Sequence, residues 1–278
     1  MNIIILGGSG GIGSCLTHEL SKNHNLYISS TNDGKLTNIL SDLKNYNVSG
    51  EKFSYTNFES MELFLNNAKS YLGEIDCIIN CIGSLLLKPP HVTKEAELEN
   101  VFKTNVFSCF SILKHGFKFL KQNGGSVIFF SSAASKVGLR NHESISAAKS
   151  AVSSIALSAA STYSNYNIRV NVIAPGLVET PLTSKITNNA TSLEYSKKLH
   201  GLNKIGKPEN FIPIVKALID KKVDAIYRDA TEVKKIVYEE PNLSLDFVPI
   251  LFDDKLDHIS MYVSSKVNPD LSPMLDFY

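Results

Sequence analysis

The chain of 278 residues is 43% hydrophobic and 20% charged, a composition that is typical of one large globular domain with a substantial core. Its 28 basic and 27 acidic residues give a formal net charge of +1, and no basic run indicates a nucleic acid partner. Neither a secretory signal nor an apolar run near the roughly 20 residues of a membrane span is present. We therefore expect a small-molecule ligand, no membrane partner and a cytoplasmic location.

Short apolar runs alternate with longer helical patterns over most of the chain, which predicts a doubly wound parallel α/β sheet. The predicted strands, in chain order, are Asn2–Leu6, Leu26–Ser30, Glu51–Tyr55, Asp76–Asn80, Ser126–Ser131 and Ile168–Ala174. The predicted helices are Gly11–Lys22, Gly34–Leu43, Ser60–Tyr71, Lys94–Leu120 and Glu143–Tyr163. Continuous apolar runs such as Ile3 to Leu6 are typical of strands that are buried on both faces.

A glycine-rich turn follows the first predicted strand and opens the first helix. It reads Leu-Gly-Gly-Ser-Gly-Gly-Ile-Gly from residue 6 to residue 13. Glycine permits a tight turn and lets backbone N–H groups approach a pyrophosphate placed at a helix N-terminus. Because the loop lies between a buried strand and a helix, it predicts a dinucleotide site that includes Gly7, Ser9, Gly11, Ile12 and Gly13.

The end of the second predicted strand bears on the choice between NAD and NADP. An acidic side chain there would accept from the ribose 2′-hydroxyl and select NAD, whereas a nearby arginine would favour NADP. This strand ends in Ser30 and Thr31, which leave room for a 2′-phosphate and can donate to it. We expect a nicotinamide dinucleotide at this site, NADP in preference to NAD.

Further short motifs stand at the ends of the later strands and on the later helices. They are Asn80–Gly83, Thr104–Val106, Phe130–Ser132, Lys149 and the Pro175-Gly176 turn that leads to Thr180. Together with the glycine turn, in this order and spacing, they resemble the short-chain dehydrogenase/reductase family over about residues 2 to 210. Leu6 stands where that family has a threonine, and Cys81 and Ile82 are bulkier than the family's residues.

The resemblance implies a Rossmann-type fold and an NAD(P)-dependent oxidoreductase that transfers hydride to or from a carbonyl or an alcohol. It implies that cofactor contacts come from Asn80, Gly83, Lys149, Pro175, Gly176, Val178 and Thr180. It also implies that Asn105 holds a water in a proton relay, that Ser132 bonds the substrate oxygen, and that Lys149 binds the nicotinamide ribose. Simpler interpretations of the last three are a helix–strand bridge, a strand-end cap and a solvated lysine.

The family pattern Tyr-x-x-x-Lys is interrupted, because Ile145 stands four residues before Lys149. Isoleucine cannot transfer a proton, and general acid–base help contributes about two to four decades in rate. A substitute acid is one solution: His142, a flanking serine, a tyrosine of the tail, or water held by Ser132 and Asn105. The others are hydride transfer to an activated alkene, and retained cofactor binding without turnover. The chain is thus an oxidoreductase, a nucleotide-binding scaffold or regulatory subunit, or, less favoured, a lyase or isomerase.

The last part of the chain differs in composition, since all 16 glycines lie at or before Gly206. We predict a dinucleotide-binding domain with its substrate loop at residues 1–222 and a divergent extension at residues 223–278. The extension is interpreted as strands, an oligomer arm or a lid, and its acidic cluster, residues 253 to 258, as a solvated surface.

Two further expectations concern the cysteines and the long alanine-rich helix. Cys15, Cys77, Cys81 and Cys109 fit neither a zinc pattern nor a disulfide framework, so buried thiols and no metal are expected. The helix Glu143–Tyr163 carries many small residues, and the family resemblance implies that it pairs with its copy in a homo-oligomer.

Overall fold

A computed structural model describes residues 1–221 in full, together with the backbone of strands at 227–229, 245–250 and 259–264. The chain divides into two compact units, residues 1–185 with 206–212 and residues 186–205 with 213–278. Among the described residues, no helix has both the length and the apolar character that crossing a membrane requires.

The first unit is built on a six-stranded parallel sheet. Its strands are β1 (Asn2–Leu6), β2 (Asn25–Ser30), β3 (Val48–Lys52), β4 (Cys77–Asn80), β5 (Gly125–Phe130) and β6 (Ile168–Ile173). They lie in the order β3-β2-β1-β4-β5-β6, and all the pairings are parallel. Strand order reverses between β1 and β4, where open α/β sheets bind their ligands. The predicted fold class is confirmed.

Helices connect these strands, and shorter helices follow along the chain, some of them in the second unit. They are α1 (Gly11–Leu20), α2 (Asp33–Asp42), α3 (Phe58–Leu72), α4 (Glu95–Phe102), α5 (Ser108–Leu120), α6 (Glu143–Tyr163), α7 (Ser184–Thr187), α8 (Ala190–Lys198) and α9 (Phe211–Ile219). The predicted helix Lys94–Leu120 is two α-helices, because a π-helical turn at Lys103–Phe107 separates α4 from α5. Such turns are frequent at functional sites.

The core of the first unit is the central sheet and the helix faces packed on it. Ile3 and the following residues to Leu6 have no exposed surface, as the continuous apolar run predicts for a strand covered on both faces. Phe64 of α3, Phe129 of β5 and Val152 of α6 are buried in the same cluster. This packing fixes the carboxyl ends of β1, β4 and β5, from which the site is built.

Strand β3 differs from the prediction, which placed it at Glu51–Tyr55 rather than Val48–Lys52. It pairs only with β2 and lies at the sheet edge, so its sequence carries no apolar run. At Gly50 a side chain would lie 2.3 Å from the carbonyl oxygen of Ile28, so glycine permits the close approach of the two strands.

The second unit contains α8 and a three-stranded antiparallel sheet. Its strands β7 (Tyr227–Asp229), β8 (Leu245–Ile250) and β9 (Ile259–Ser264) lie in the order β7-β9-β8. Strands were one of the interpretations of the extension, beside an oligomer arm and a lid, and β7, β8 and β9 lie within it. The predicted acidic cluster, residues 253 to 258, lies outside the described residues.

Candidate active site

The glycine-rich turn between β1 and α1 is closely packed against itself. A side chain at Gly13 would lie 2.1 Å from the carbonyl oxygen of Gly7, and Gly7 has a φ of 74°, so both positions require glycine. Gly10 N donates to the same oxygen at 2.9 Å and begins α1 as its N-cap. The exposed backbone N–H groups of this helix end, at Gly11 and Ile12, are suited to bind a phosphate.

Hydroxyl groups from the end of β2 hold the turn. Gly7 N donates to Ser29 Oγ at 2.8 Å, and Ser9 Oγ donates to Ser30 Oγ at 2.6 Å. Ser30 is buried and its hydroxyl in turn donates to the carbonyl oxygen of Asn32 at 2.8 Å. Of the two hydroxyls predicted to contact the cofactor, Thr31 is therefore the one left exposed.

The nearest acidic residue after β2 is already paired. Asp33 begins α2, and its carboxylate binds Lys52 Nζ at 2.6 Å in an exposed ion pair. Because this charge is compensated and screened by solvent, it opposes a 2′-phosphate less than a free carboxylate would.

The end of β4 lies directly beside the turn. A side chain at Gly7 would lie 3.0 Å from the backbone carbon of Cys81, which places the turn where strand order reverses. Buried Asn80 accepts from Ile82 N at 3.1 Å and donates to Cys109 Sγ at 3.3 Å. Asn80 thus ties the end of β4 to α5, and its predicted cofactor contact stays a prediction.

Three predicted residues come together just beyond β4. A side chain at Gly83 would lie 3.3 Å from Asn105 Oδ1 and 3.6 Å from Lys149 Nζ, so glycine lets both groups lie close to the end of β4. Asn105 lies in the π-helical turn and is buried. Its amide donates to the carbonyl oxygen of Val101 at 2.9 Å and to Ser84 Oγ at 3.0 Å.

Ser84 is a site residue that the sequence prediction missed. It also bonds Asn105 through its backbone, with Ser84 N at 3.4 Å from Asn105 Oδ1. The available signal was its position, immediately after Gly83 at the strand end. These bonds agree with the interpretation of Asn105 as a hydrogen-bond bridge, and Gly83 lies beside both Asn105 and Lys149.

Lys149 of α6 reaches back to the sheet. Its Nζ donates to the carbonyl oxygen of Phe130 at 2.8 Å, so it is not a solvated surface lysine. Burial lowers its pKa from the usual value of 10.5, and nearby Cys109 and Cys81 oppose that shift.

The thiols beside Lys149 differ partly from their predicted burial. Burial raises the pKa of Cys81 to about 12 and that of Cys109 to about 11, so both are protonated near neutral pH. Cys77 and Cys109 are buried as predicted, whereas Cys15 and Cys81 are only half-buried. The prediction of buried thiols was wrong for Cys15 and Cys81, and Cys81 lies just beyond the end of β4.

Ser132 lies at the end of β5 and caps a short 3-10 helix. Its Oγ accepts from Ala134 N at 3.2 Å, which leaves the hydroxyl proton available to a substrate oxygen. The neighbouring Ala133 N donates to the carbonyl oxygen of Pro175 at 2.7 Å. This bond joins the Ser132 loop to the Pro175-Gly176 turn that follows β6.

The segment after that turn packs over the glycine-rich loop. A side chain at Gly11 would lie 2.6 Å from Thr180 Cβ, which puts Thr180 beside the predicted pyrophosphate position. Val178 is buried and pairs with Gly206 in an isolated parallel bridge. The predicted cofactor contacts of Val178 and Thr180 stay predictions.

Ile145 lies one helical turn before Lys149, in apolar surroundings. It is 3% exposed and packs in a cluster with Val101, Val106 and Ala148, against which Leu85 and Leu86 also pack. We call these six residues the Ile145 cluster. Within it, no side chain is capable of donating or accepting a proton.

His142, the predicted substitute nearest in sequence, lies at the N-cap position of α6. Its Nδ1 lies 2.8 Å from the carbonyl oxygen of Arg140, a contact within its own loop. Among the described contacts, none joins His142 to Ser132, Asn105 or Lys149.

Comparison with known proteins identifies the family. The short chain dehydrogenase family matches residues 1–191 of the chain. The chain belongs to this family. The match includes every residue of the site described above up to Thr180, and it confirms the predicted class of protein, an NAD(P)-dependent oxidoreductase of the short-chain dehydrogenase/reductase type.

Two similar proteins are a tropinone reductase homologue and a 3-oxoacyl-(acyl-carrier-protein) reductase. The chain is 26% identical over 213 residues to a chloroplastic tropinone reductase homologue of Arabidopsis thaliana, covering 75% of this chain and 66% of that protein, just under two thirds of its length. It is 26% identical over 191 residues to the 3-oxoacyl-(acyl-carrier-protein) reductase of Escherichia coli, covering 67% of this chain and 77% of the relative.

Solved structures of this family share the fold. Actinorhodin polyketide ketoreductase with NADPH superimposes with a TM-score of 0.74 at 18% identity, over 78% of this chain and 90% of that one. ElxO with NADP bound gives 0.72 at 24% identity, over 78% and 90%. Ile145 of the cluster stands where the resemblance to this family predicts a tyrosine.

Proposed function

We propose that this short-chain dehydrogenase binds NADP(H) and transfers hydride between it and a carbonyl or alcohol substrate, with a slow proton-transfer step. One observation carries the proposal: Gly83, at the reversal of strand order, lies beside both Asn105 and Lys149, since a side chain there would lie 3.3 Å from Asn105 Oδ1 and 3.6 Å from Lys149 Nζ. That arrangement joins a phosphate-binding helix end to a positive charge at the place where a nicotinamide ring would lie.

Each surviving side chain has a role in the proposed reaction. When bound, the reduced dinucleotide would supply the hydride. The ammonium group of Lys149 holds the ribose hydroxyls, and the Ser132 hydroxyl donates to the substrate oxygen and so stabilises the negative charge that hydride arrival creates. Without a tyrosine, the proton for that oxygen comes from Ser132 or from water near Asn105, at a cost of about two to four decades in rate.

The preference for NADP rests on charge at the end of β2. Thr31 is exposed and uncharged, and the carboxylate of Asp33 is compensated by Lys52. The dinucleotides in the structures of the polyketide ketoreductase and ElxO, NADPH and NADP, support the same preference.

A second candidate function is that of a nucleotide-binding scaffold or regulatory subunit. The observation that favours it is the Ile145 cluster, which leaves the family's proton-donor position without a polar group. This protein would bind the dinucleotide as tightly as an active enzyme and would not turn over.

A homo-oligomer is part of the proposal. The helix α6 presents small residues and the 59% exposed Leu157 at its surface, a composition that permits close approach of a second copy. Size-exclusion chromatography with light scattering tests this, and a monomer at micromolar concentration contradicts it. The cytoplasmic location stays a prediction.

The test combines cofactor titration with a carbonyl panel. We expect the natural chain to bind NADPH more tightly than NADH and to oxidise NADPH slowly with at least one carbonyl, and Ser132→Ala to do so more slowly still. Absence of binding to both dinucleotides contradicts the proposal. Binding without reduction of any carbonyl that Ile145→Tyr reduces establishes the scaffold function instead.

A further inference from the structure

The carboxyl end of β5 holds Lys149 at two points. The side chain is held because Lys149 Nζ donates to the carbonyl oxygen of Phe130 at 2.8 Å. The backbone is held because Ser131 Oγ, from the residue that follows β5, donates to the carbonyl oxygen of Lys149 at 2.7 Å. The last residue of β5 and the residue after it thus fix both ends of the same lysine.

A second serine completes this arrangement from α6. Ser153 Oγ lies 2.8 Å from Ser131 Oγ and 3.1 Å from the carbonyl oxygen of Lys149. Since Ser131 uses its proton on the Lys149 carbonyl, Ser153 donates to Ser131, and the hydroxyls form a short chain. Hydrogen bonds in such chains polarise and strengthen one another. We call Ser131 and Ser153 the lysine anchor.

Burial makes the anchor specific. Ser131 is 5% exposed, so its hydroxyl has little access to water and its bond to Lys149 has no equivalent alternative. Other serines of α6 bind the loop after β5 but avoid Lys149: Ser146 donates to the carbonyl oxygen of Ala134, and Ser150 to that of Ser135. The helix is thus held at three turns, and of these serines Ser131 and Ser153 contact Lys149.

We propose that Ser131, supported by Ser153, is a positioning residue that holds the Lys149 ammonium group where it binds the ribose hydroxyls of the dinucleotide. The inference rests on the proposed function, and it assigns a role to the serine that precedes Ser132. Without the anchor, the turn that carries Lys149 is free to shift relative to β5, and the ammonium group leaves Phe130 for solvent.

The test measures NADPH affinity by fluorescence titration between pH 6 and pH 10 in Ser131→Ala, Ser153→Ala, Ser150→Ala and Lys149→Met. We expect Ser131→Ala to weaken binding by about fivefold, the size of one lost hydrogen bond, and Ser153→Ala by less. Ser150→Ala, a matched serine on the same helix, keeps the natural affinity.

The pH profile separates positioning from a general loss of structure. Affinity is present while Lys149 is protonated and is lost as pH rises through its pKa, which burial holds below 10.5. A solvated ammonium group regains a higher pKa, so in Ser131→Ala the loss of affinity moves to higher pH. A variant that is only less stable keeps the natural midpoint.

The outcomes distinguish the two proposals. If Lys149→Met binds NADPH as the natural chain does, the proposed cofactor role of the site fails. If Lys149→Met binds weakly while Ser131→Ala keeps both the affinity and the pH midpoint, the positioning role alone is overturned. Equal weakening in Ser150→Ala also overturns it. If thermal unfolding shows that Ser131→Ala does not fold, Ser153→Ala is used instead, because Ser153 is only half-buried. Its NADPH affinity and its pH midpoint then decide the question.

Discussion

The glycine-rich turn and the Ile145 cluster are two parts of one site that differ in how they are packed. In the turn, backbone atoms approach so closely that Gly13 has no room for a side chain. In the cluster, a buried isoleucine packs among apolar side chains at the position where the family resemblance predicts a tyrosine. From this difference we expect cofactor binding to depend on the backbone geometry of the turn, and proton delivery to depend on the side chain at position 145.

The largest effect is expected in the turn itself. Gly13→Ala would place a methyl group 2.1 Å from the carbonyl oxygen of Gly7, so the turn must open and dinucleotide binding should be lost, with a destabilisation of about 3 kcal/mol or more. Gly138→Ala is the control, because its added methyl group meets no atom within 4 Å. Binding is measured by NADPH titration and stability by denaturant unfolding. Retained binding in Gly13→Ala would show that the turn does not carry the cofactor.

The second effect tests whether position 145 serves packing. Ile145→Ala creates a cavity in the Ile145 cluster and should reduce the free energy of unfolding by about 2–5 kcal/mol. The affinity for NADPH should stay within about twofold of that of the natural chain, because no residue of the cluster belongs to the glycine-rich turn. A parallel fall in affinity under conditions where the variant is folded would contradict the separation of the two regions.

The third effect concerns the choice of dinucleotide. Thr31→Asp places a carboxylate at the exposed end of β2, and repulsion from a 2′-phosphate should weaken NADPH binding about tenfold while NADH binding changes little. Thr31→Asn is the uncharged control of similar shape. The ratio of the two dissociation constants is measured in each variant. An unchanged ratio would place the 2′-position of the ribose elsewhere.

The smallest effect concerns the pH dependence of stability below pH 6.5, which should be independent of the alkaline titration of Lys149. His115 of α5 is buried with Nε2 unpartnered among the described residues, and burial lowers its pKa below 6.5, although Glu62 opposes the shift. Between that pKa and 6.5 the unfolded chain binds more protons, so stability falls as pH falls through this window.

His115→Leu removes this titration and the unpartnered nitrogen, and it should raise stability by about 1 kcal/mol near pH 6. Chemical unfolding at pH 5 to 8 measures the change. The alkaline loss of NADPH affinity should be the same in this variant as in the natural chain. A changed alkaline midpoint would mean that the two titrations are coupled.

The sequence predicted the parts of the fold that local pattern determines. Strand β1 and helix α6 begin and end at the predicted residues, because a buried apolar run and a long alanine-rich segment are strong local signals. Strand β3 was misplaced, since an edge strand needs no apolar run. The π-helical turn at Asn105 was missed because its register depends on packing against Ser84, not on local sequence.

The site shows the same division. The motifs predicted Gly83, Asn105 and Lys149 as site residues. The isoleucine at position 145 was also visible in the sequence. The Ile145 cluster was not, because Leu85, Leu86 and Val101 are distant from Ile145 along the chain. Likewise the hydrogen bonds of Ser131 and Ser153 to Lys149 could not be predicted, because they form only where the end of β5 packs against α6.

The most direct test of the central claim compares the natural chain with Ile145→Tyr and Ile145→Phe. The phenylalanine variant adds the aromatic ring without the hydroxyl. It therefore controls for the cost of overpacking the cluster, which is about 1–3 kcal/mol. NADPH affinity and the rate of carbonyl reduction are measured for all three. The account predicts similar affinities and a rate at least about a hundredfold higher in Ile145→Tyr alone. Equal rates in all three proteins would contradict it, because another group would then already deliver the proton.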